Sequence, residues 1–424
     1  MVVLLTEKLL YGIKRELMNG GLPLAATSKH MKLERCPIQI KPADNVMPRP
    51  LPNEIVALIV HHVDYPECEP RLNDDRQMAE QRELYTFTLV NKQFHAIANP
   101  LLWQEPVVGL DSTFLQRLLD CLTATTNQQP LGHHIKKLHL HNTTCTDHQL
   151  LLLMTHIPHL ETLLIENKRY PENNDVSSAL TPLPSPPLIS NVSLQFLPRY
   201  CSQLTVLEIH SIHLLEPTAR AIGQHCHHLR QLTLHLNAVP WQPLFSALTH
   251  CPLTLLSITS YERATVTLTE TMAMDMLTSF PDLTSFKMNS FDPSGLLMTL
   301  AHTVLTTFPT PWPHLKKLDL IRYATLGHAV LTDRSLDAMA MSLPNLHELH
   351  LLRVKGISAD GVRQLIRHCL GLKVVCLAKC DSIVLGDLLP GVGRLPPSYC
   401  IVVLLAVLTL HHHQWFLVWI SSLL

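Results

Sequence analysis

The sequence has few charged residues and no excess of either sign. Lysine, arginine, aspartate and glutamate together make up 16% of the 424 residues, and the formal net charge at pH 7 is -1. A protein that binds the phosphate backbone of a nucleic acid needs a basic stripe or patch. The composition therefore argues against nucleic acid as a partner.

The chain also lacks the short motifs that mark common active sites. It contains no Gly-rich phosphate loop, no Gly-x-Ser-x-Gly turn and no His-Glu-x-x-His pair. A repeat protein that activates a GTPase supplies an arginine from a loop, and Arg169 and Arg322 each follow a predicted strand. No second element supports that role, so we expect no enzymatic activity and no cofactor.

The cysteines and histidines do not form an evident metal or disulfide pattern. The cysteine total is odd, at 11, and no Cys-x-x-Cys pair occurs. With no recognisable signal peptide, this usage predicts a reducing compartment, the cytoplasm or the nucleus. There are 27 histidines. In the densest cluster, at residues 225–228, consecutive side chains point in different directions, whereas metal ligands must converge, so we expect no metal site.

What the chain does contain is a recurring Leu-x-x-Leu-x-Leu pattern, with other apolar residues allowed at its three slots. The middle slots are separated by 24 to 44 positions, a period typical of a leucine-rich-repeat solenoid. The nine copies are Ile135/Leu138/Leu140, Leu160/Leu163/Ile165, Leu204/Leu207/Ile209, Leu229/Leu232/Leu234, Leu253/Leu256/Ile258, Leu283/Phe286/Met288, Leu315/Leu318/Leu320, Leu346/Leu349/Leu351 and Leu372/Val375/Leu377.

Each copy predicts a short strand followed by a returning helix. Alternate side chains of a strand face opposite sides, so the second and third slots point inward, and stacked copies bury them together. Thr146, Thr332 and Ser358 are predicted helix caps, and a Pro or Cys closes most helices. The fold class is therefore α/β: a curved parallel sheet with outer helices over residues 135–398.

The outward positions of the predicted strands form the concave face, where extended partners usually dock. Their mixture of polar, weakly charged and apolar side chains favours protein binding, and an idle solvated face is the alternative. The candidate substrate-binding residues are His139, His141, Glu208, His210, His235, Lys287, Asp319 and His350.

Residues 45–108 predict a separate small helical domain. Leu51-Pro52 precedes apolar residues at helical spacing, a polar insertion spans residues 64–83, and a second apolar helical set follows to Trp103, interrupted by Asn99-Pro100. The domain alone would bury a modest core.

This domain resembles an F-box. The family pattern of Leu-Pro and an acidic residue is matched by Leu51, Pro52 and Glu54; its Leu-Val-x-Lys-x-aromatic segment by residues 89–94; and its closing Leu-Trp by residues 102–103. Asn91 and Phe94 stand where a Cys and a Trp are common, and the insertion is longer than usual. Followed by leucine-rich repeats, the domain is similar to the F-box and leucine-rich-repeat family of ubiquitin-ligase substrate receptors.

The resemblance implies that the domain docks on the Skp-type adaptor of a cullin-RING ligase of the SCF type, while the repeats hold a protein substrate. The alternatives are that the same residues form only the core of a helical cap, and that the chain is a protein-binding scaffold without a ligase role. The candidate adaptor contacts are Leu51, Pro52, Ile55, Ile59, Leu89 and Val90.

Four further segments complete the domain plan. Residues 1–44 are a lead-in expected to be flexible, 109–134 carry a linker helix, and 170–198 form a Pro-rich loop in which one degenerate repeat could lie. The apolar tail, 399–424, is interpreted as a last strand on Leu405, Leu408 and Leu410 followed by a poorly packed end. A membrane anchor is the less favoured alternative, because His411–His413 interrupt the run.

The strand phase predicts the effect of two neighbouring substitutions. Leu320→Asp places an unpaired charge in the interior and is expected to lower the free energy of unfolding by about 3 to 5 kcal/mol. Asp319→Ala, on the open side of the same strand, is expected to cost little. Urea denaturation of both variants measures the difference, and equal effects would mean that the phase is wrong.

Overall fold

The computed structural model describes residues 51–61, 74–108, 112–124, 130–141, 145–166, 188–235, 241–259, 266–289, 291–292, 296, 299–300, 312–321, 332–352, 356–378 and 402–406. The chain divides into two compact units, residues 1–102 and 103–424. The predicted lead-in, residues 1–44, lies outside the described residues.

The first unit contains helices α1 (Asn53–His61), α2 (Asp74–Thr88) and most of α3 (Lys92–Gln104). Among the described residues of this unit, Val56, Val60 and Ala98 are fully buried and form its core. Larger side chains from α2 and α3 are only partly buried around them: Leu84, Phe87, Phe94, Ile97 and Leu101.

Two predictions about this unit are wrong. Residues 74–83, read as part of a polar insertion, belong to helix α2, while residues 62–73 lie outside the described part. The helical set breaks at residues 89–91 and not at Pro100, which α3 passes through. Asn91 sets the break, because its Oδ1 accepts hydrogen bonds from the backbone N–H groups of Gln93 (2.9 Å) and Phe94 (3.0 Å) and so caps α3.

The second unit is built on one parallel sheet with the strand order β1-β2-β3-β4-β5-β7-β9-β10-β11-β12. Helices return between the successive strands of this sheet from β1 to β11, as the repeat pattern predicts. The strands are β1 (Lys137–His141), β2 (Thr162–Glu166), β3 (Val206–His213), β4 (Gln231–His235), β5 (Leu255–Thr259), β7 (Ser285–Asn289), β9 (Lys317–Ile321), β10 (Glu348–Leu352), β11 (Val374–Ala378) and β12 (Val402–Ala406). A separate pair, β6 (Val266–Thr267) and β8 (Phe291–Asp292), is also parallel.

The helices of this unit pack against the inner face of the sheet, so that the core lies between the sheet and the layer of helices. They are α4 (Ser112–Thr123), a 3-10 turn (Leu131–His134), α5 (Asp147–His156), α6 (Asn191–Tyr200), α7 (Glu216–His225), α8 (Trp241–Leu248), α9 (Glu270–Ser279), α10 (Asp333–Ser342) and α11 (Ala359–His368). Leu296, Thr299 and Leu300 are also helical.

The register of the sheet confirms the predicted strand phase. Leu207 pairs with Leu232, and Leu318 pairs with Leu349, so the middle slots of successive repeats lie one above another. The whole row from Leu138 to Val375 is at most 1% exposed. Each of these side chains gains about 1.5 to 3 kcal/mol from burial, which a single repeat would not provide. The fold is the leucine-rich-repeat type expected from the sequence.

The predicted helix starts are confirmed. Helices α5, α10 and α11 begin directly after Thr146, Thr332 and Ser358. The Thr146 hydroxyl accepts from the backbone N–H of Gln149 at 3.3 Å, and the Ser358 hydroxyl accepts from that of Gly361 at 3.1 Å. These bonds satisfy amide donors that the first turn of a helix leaves without partners.

A carboxylate at the first helical position links successive repeats. Asp147 accepts from the backbone N–H of Ser190 (2.7 Å), from its hydroxyl (2.6 Å) and from the hydroxyl of Ser193. Asp333 binds Ser358 in the same way, at 2.8 and 2.7 Å. Each acidic residue therefore holds the start of the helix in the following repeat.

The cysteines at the helix ends are buried, as predicted. Cys201, Cys226 and Cys369 are the residues at which α6, α7 and α11 end, and each is at most 1% exposed. Burial raises the pKa of the Cys201 and Cys226 thiols to about 12, so both remain protonated. They act as small apolar side chains in the core.

Two segments differ from their predictions. Residues 191–198, expected to be part of a Pro-rich loop, belong to α6, because Ser190 caps that helix and Leu194 and Leu197 fill the core; residues 170–187 lie outside the described part. In the tail, β12 pairs with β11, and Leu405 lies beside Leu377. Leu405 therefore takes the third slot and not the first, which places the last strand five residues earlier. Leu408 and Leu410 lie outside the described residues.

The helix predicted as a linker is packed into the second unit. The residues of α4 at positions 115, 118, 119 and 122 are at most 8% exposed and belong to the same core as the sheet. This helix therefore covers the first repeat, where a solenoid needs a cap.

The Asp147 junction predicts a pH-dependent loss of stability. Burial alone would raise the pKa of this carboxyl group, but hydrogen bonds from Ser190 and Ser193 outweigh burial and hold the pKa below its ordinary value of 3.8. The folded chain therefore binds the proton less readily than the unfolded chain. The resulting stability is fully present above pH 3.8 and is lost as the pH falls through the lowered pKa.

Asp147→Asn is thus expected to lower the free energy of unfolding by about 1 to 3 kcal/mol at neutral pH. The difference in the free energy of unfolding between this variant and the wild type should become smaller as the pH falls below the ordinary pKa of the carboxyl group. Urea titrations at pH values down to about 3 measure this change. Asp282→Asn, at an exposed carboxylate, is the matched control and should cost less than about 0.5 kcal/mol throughout. A constant difference for Asp147→Asn would contradict the assignment.

Candidate functional site

Apolar side chains are exposed on the first unit at most of the candidate adaptor contacts. Leu51 is 45% exposed, Ile55 41%, Leu89 67% and Val90 41%. Pro52 is also exposed, whereas Ile59 is only partly so. The unit therefore carries large apolar residues on its surface at positions that helical spacing would usually place in a core.

One side chain ties the two parts of this set together. The amide nitrogen of Gln93 donates to the backbone oxygen of Leu51 at 2.5 Å and to Oδ1 of Asn53 at 2.7 Å. Gln93 lies in the first turn of helix α3 (Lys92–Gln104), which follows the turn that carries Leu89 and Val90. The start of α1 is therefore held beside that turn, and we call the five exposed residues of these two segments, Leu51, Pro52, Ile55, Leu89 and Val90, the adaptor patch.

The alternative, that these residues form the core of a helical cap, does not fit their burial. The core of the unit consists of Val56, Val60 and Ala98 with their partly buried neighbours, and the adaptor patch lies outside it. Leu58 is 67% exposed on the same helix and was not predicted. Its spacing, three residues after Ile55, is a helical signal that could have identified it.

On the second unit, the outward positions of neighbouring strands line up in rows across the sheet. One row runs from His139 through Glu208, Lys287 and Asp319 to His350, with Leu164, Thr233 and Ser257 between them. Five of the eight predicted substrate-binding residues therefore share one row, which we call the central row.

The remaining three histidines lie beside the central row. His141 pairs with Glu166 across β1 and β2, and His235 pairs with His213 at a register shift in β3. The ring of His210 lies 5.9 Å from that of His235, edge to face. The side chain of His141 is outside the described set.

The charged groups of this face pair with one another. His139 lies 3.2 Å from Glu166, His210 3.5 Å from Glu208, and His350 2.9 Å from Asp319, between imidazole nitrogen and carboxylate oxygen. Lys317 reaches Glu348 at 3.2 Å. Pairs at such exposure are individually weak, and the three histidine pairs are ion pairs only when the imidazole is protonated. Such a face suits a protein partner of mixed polarity.

Two of the candidate residues are less accessible than predicted. His235 is 1% exposed and Asp319 is 7% exposed, so the expectation that both lie open on the concave face is wrong. Neighbouring strands are about 4.8 Å apart, and larger side chains in adjacent strands cover shorter ones. The ring of His210 packs against His235, and His350 holds Asp319. Thr233 and Ser257, at 7% and 5% exposure, are also buried.

Cys376 pairs with His350 in the register of this face. Burial, with the charge of Asp319, raises the pKa of the Cys376 thiol, which disfavours the reactive thiolate. Among the described residues, no three His, Cys, Asp or Glu side chains are arranged to hold a metal ion. None of the helices in the described part of the chain is long and apolar enough to span a membrane.

Comparisons with known proteins add little to this picture. No family model matches the chain, and no curated protein matches it. Among solved structures, the chain is similar to one in the crystal structure of the Rad7 and Elc1 complex in yeast, with 13% sequence identity and a TM-score of 0.39, over 75% of this chain and 94% of that one. A similarity this weak says nothing about activity or partners.

The burial of Asp319 changes the expected cost of removing its charge. Asp319→Asn leaves the size of the side chain unchanged but takes away the partner of His350, so we now expect a loss of about 1 to 3 kcal/mol in the free energy of unfolding. Urea denaturation of Asp319→Asn, His350→Gln and the double variant measures the coupling between the two side chains. Additive effects would show that the pair contributes nothing.

Proposed function

We propose that this chain is a substrate-recognition adaptor of an SCF-type ubiquitin ligase. The first unit docks on the Skp-type adaptor through the adaptor patch, and the concave face of the solenoid binds a protein substrate. Ubiquitin transfer belongs to a separate enzyme of the cullin-RING complex. This chain raises the effective concentration of the substrate's lysines near that enzyme.

The exposure of the adaptor patch is the observation that supports the proposal most directly. Apolar residues clustered on a surface usually mark a site where another protein binds. Here the clustered residues are those that the F-box pattern assigns to the adaptor contact. If they served only to fold the unit, they would be buried with Val56 and Val60, which are 0% exposed.

The concave face supports the second half of the proposal. Histidine side chains lie beside three of its carboxylates, and its central row mixes histidine, acidic, basic and small polar groups. A protein partner, either a folded surface or an extended segment, can match such a mixture of side chains with hydrogen bonds and small apolar contacts. His139 and His350, with side chains 37% and 30% exposed, are the most accessible of the paired histidines that were predicted to bind.

A binding assay with recombinant Skp-type adaptor tests the proposal. The full chain should retain the adaptor. A Pro52→Asp, Ile55→Asp double variant should bind the adaptor at least roughly tenfold more weakly, because it replaces two apolar contacts with carboxylates that binding would have to bury. The carbonyl of residue 52 accepts the first hydrogen bonds of α1, at 3.0 and 3.1 Å, and Asp is a favoured cap. The double variant should therefore keep its helix.

Leu370→Asp is the matched control, since Leu370 is 64% exposed on the second unit. It should bind the adaptor as the wild type does, and circular dichroism should show that all variants remain folded. Failure of the intact chain to bind the adaptor would refute the ligase role and leave a protein-binding scaffold. Equal binding by the intact chain and the double variant would refute the assignment of the patch.

A further inference from the structure

Helix α6 carries an apolar stripe on its outward side. Val192, Phe196 and Tyr200 follow one another at intervals of four residues within the helix and are 62%, 39% and 45% exposed. Residues four apart lie on the same face of a helix, so the three side chains form one continuous strip, which we call the α6 stripe. The inward side of the helix is buried separately in the core, through Leu194 and Leu197.

A groove of about 280 Å³ runs beside the α6 stripe, between α6 and the next helix, α7. Its walls are polar, in contrast to the stripe. The lining residues that bear on its charge and hydrogen bonding are Gln195, Arg199, Glu216, Arg220, Gln224 and His225.

The charges of this groove do not cancel. The guanidinium of Arg220 forms an ion pair with Glu216 at 2.5 Å. The guanidinium of Arg199 lies over the ring of Phe196, 5.6 Å from its centre. Two guanidinium groups thus face one carboxylate, and the groove has a net charge of about +1 with its histidine neutral.

The other described carboxylates of the same repeats do not compensate for this charge. In the described residues between 145 and 259, every carboxylate already has a partner: Asp147 holds Ser190, and the others form the ion pairs Glu161–Lys136, Glu166–His139, Glu208–His210 and Glu216–Arg220. A carboxylate from another molecule would therefore be attracted to the groove without a competitor among these described carboxylates.

We propose that the α6 stripe and its groove bind an acidic amphipathic peptide segment of another protein. Apolar side chains of the segment lie on Val192, Phe196 and Tyr200, and one of its carboxylates enters the groove between Arg199 and Arg220. Aromatic residues and arginine are the types most often responsible for affinity at protein interfaces. An amphipathic helix presenting apolar residues at spacings of three or four is the matching partner. This site is separate from the concave face and does not depend on the ligase role.

Fluorescence anisotropy with two labelled peptides tests the proposal on the full chain. Both peptides are about 15 residues long and carry leucine at every fourth position, and they differ only in having glutamate or lysine beside the leucines. We expect the acidic peptide to bind at least roughly tenfold more tightly than the basic one. Phe196→Ser should weaken acidic-peptide binding by roughly tenfold, because it removes the centre of the stripe.

The groove charge supplies a test of sign. Arg199→Gln removes the net positive charge of the groove and should lower the affinity for the acidic peptide by about threefold. Glu216→Gln increases that charge and should raise the affinity by about threefold. Both residues are exposed, so both variants should remain folded, which their thermal melts would verify. Met341→Ser, at a residue 60% exposed on α10, is the control and should bind as the wild type does.

Three results would overturn the proposal. The first is equal binding of the acidic and basic peptides, or of neither. The second is a weaker acidic complex with Glu216→Gln. The third is a dimer in sedimentation analysis that Phe196→Ser dissociates, because the occupant of the α6 stripe would then be a second copy of this chain.

Discussion

The shared register of the parallel strands is the constraint on which the solenoid depends. A strand of five residues with two inward apolar side chains has too little apolar surface to fold alone, and it becomes stable only when the next strand places its own pair directly beside it. The row from Leu138 to Val375 shows this continuity, with every member almost fully buried. A shift of one residue in any strand would move its apolar pair to the solvent side and break the row on both sides.

The same constraint explains why the spacing of repeats can vary so widely. The interval between Leu163 and Leu207 is 44 residues, yet the two are direct neighbours in the sheet. Only the strand and the helix start need fixed positions, and the Asp147–Ser190 hydrogen bonds hold the helix start across this long interval. Chain that is inserted between these fixed points leaves the sheet in register, which is why insertions in connecting segments are tolerated.

The two units use apolar residues differently. The solenoid places its repeated leucines in a continuous interior, whereas the first unit has a core of only a few residues and leaves Leu51, Ile55, Leu89 and Val90 at the surface. A small helical unit of this kind has little volume in which to bury its apolar side chains. Apolar residues that are not needed for the core are then available for contact with another protein, and the proposed adaptor docking relies on this.

The amino-acid pattern was sufficient for the repeat positions, the inward slots, the helix caps and the buried cysteines, because these follow from local periodicity and from hydrogen bonding within a few residues. It was not sufficient for the burial of Asp319 and His235 or for the exposure of the α6 stripe. It also misplaced the last strand and read α6 as loop. Accessibility depends on which side chains of neighbouring strands and helices cover one another, and those neighbours are distant in the chain: His350 beside Asp319, and Arg220 across the groove from Arg199. Contacts of that kind exist only once the repeats are stacked.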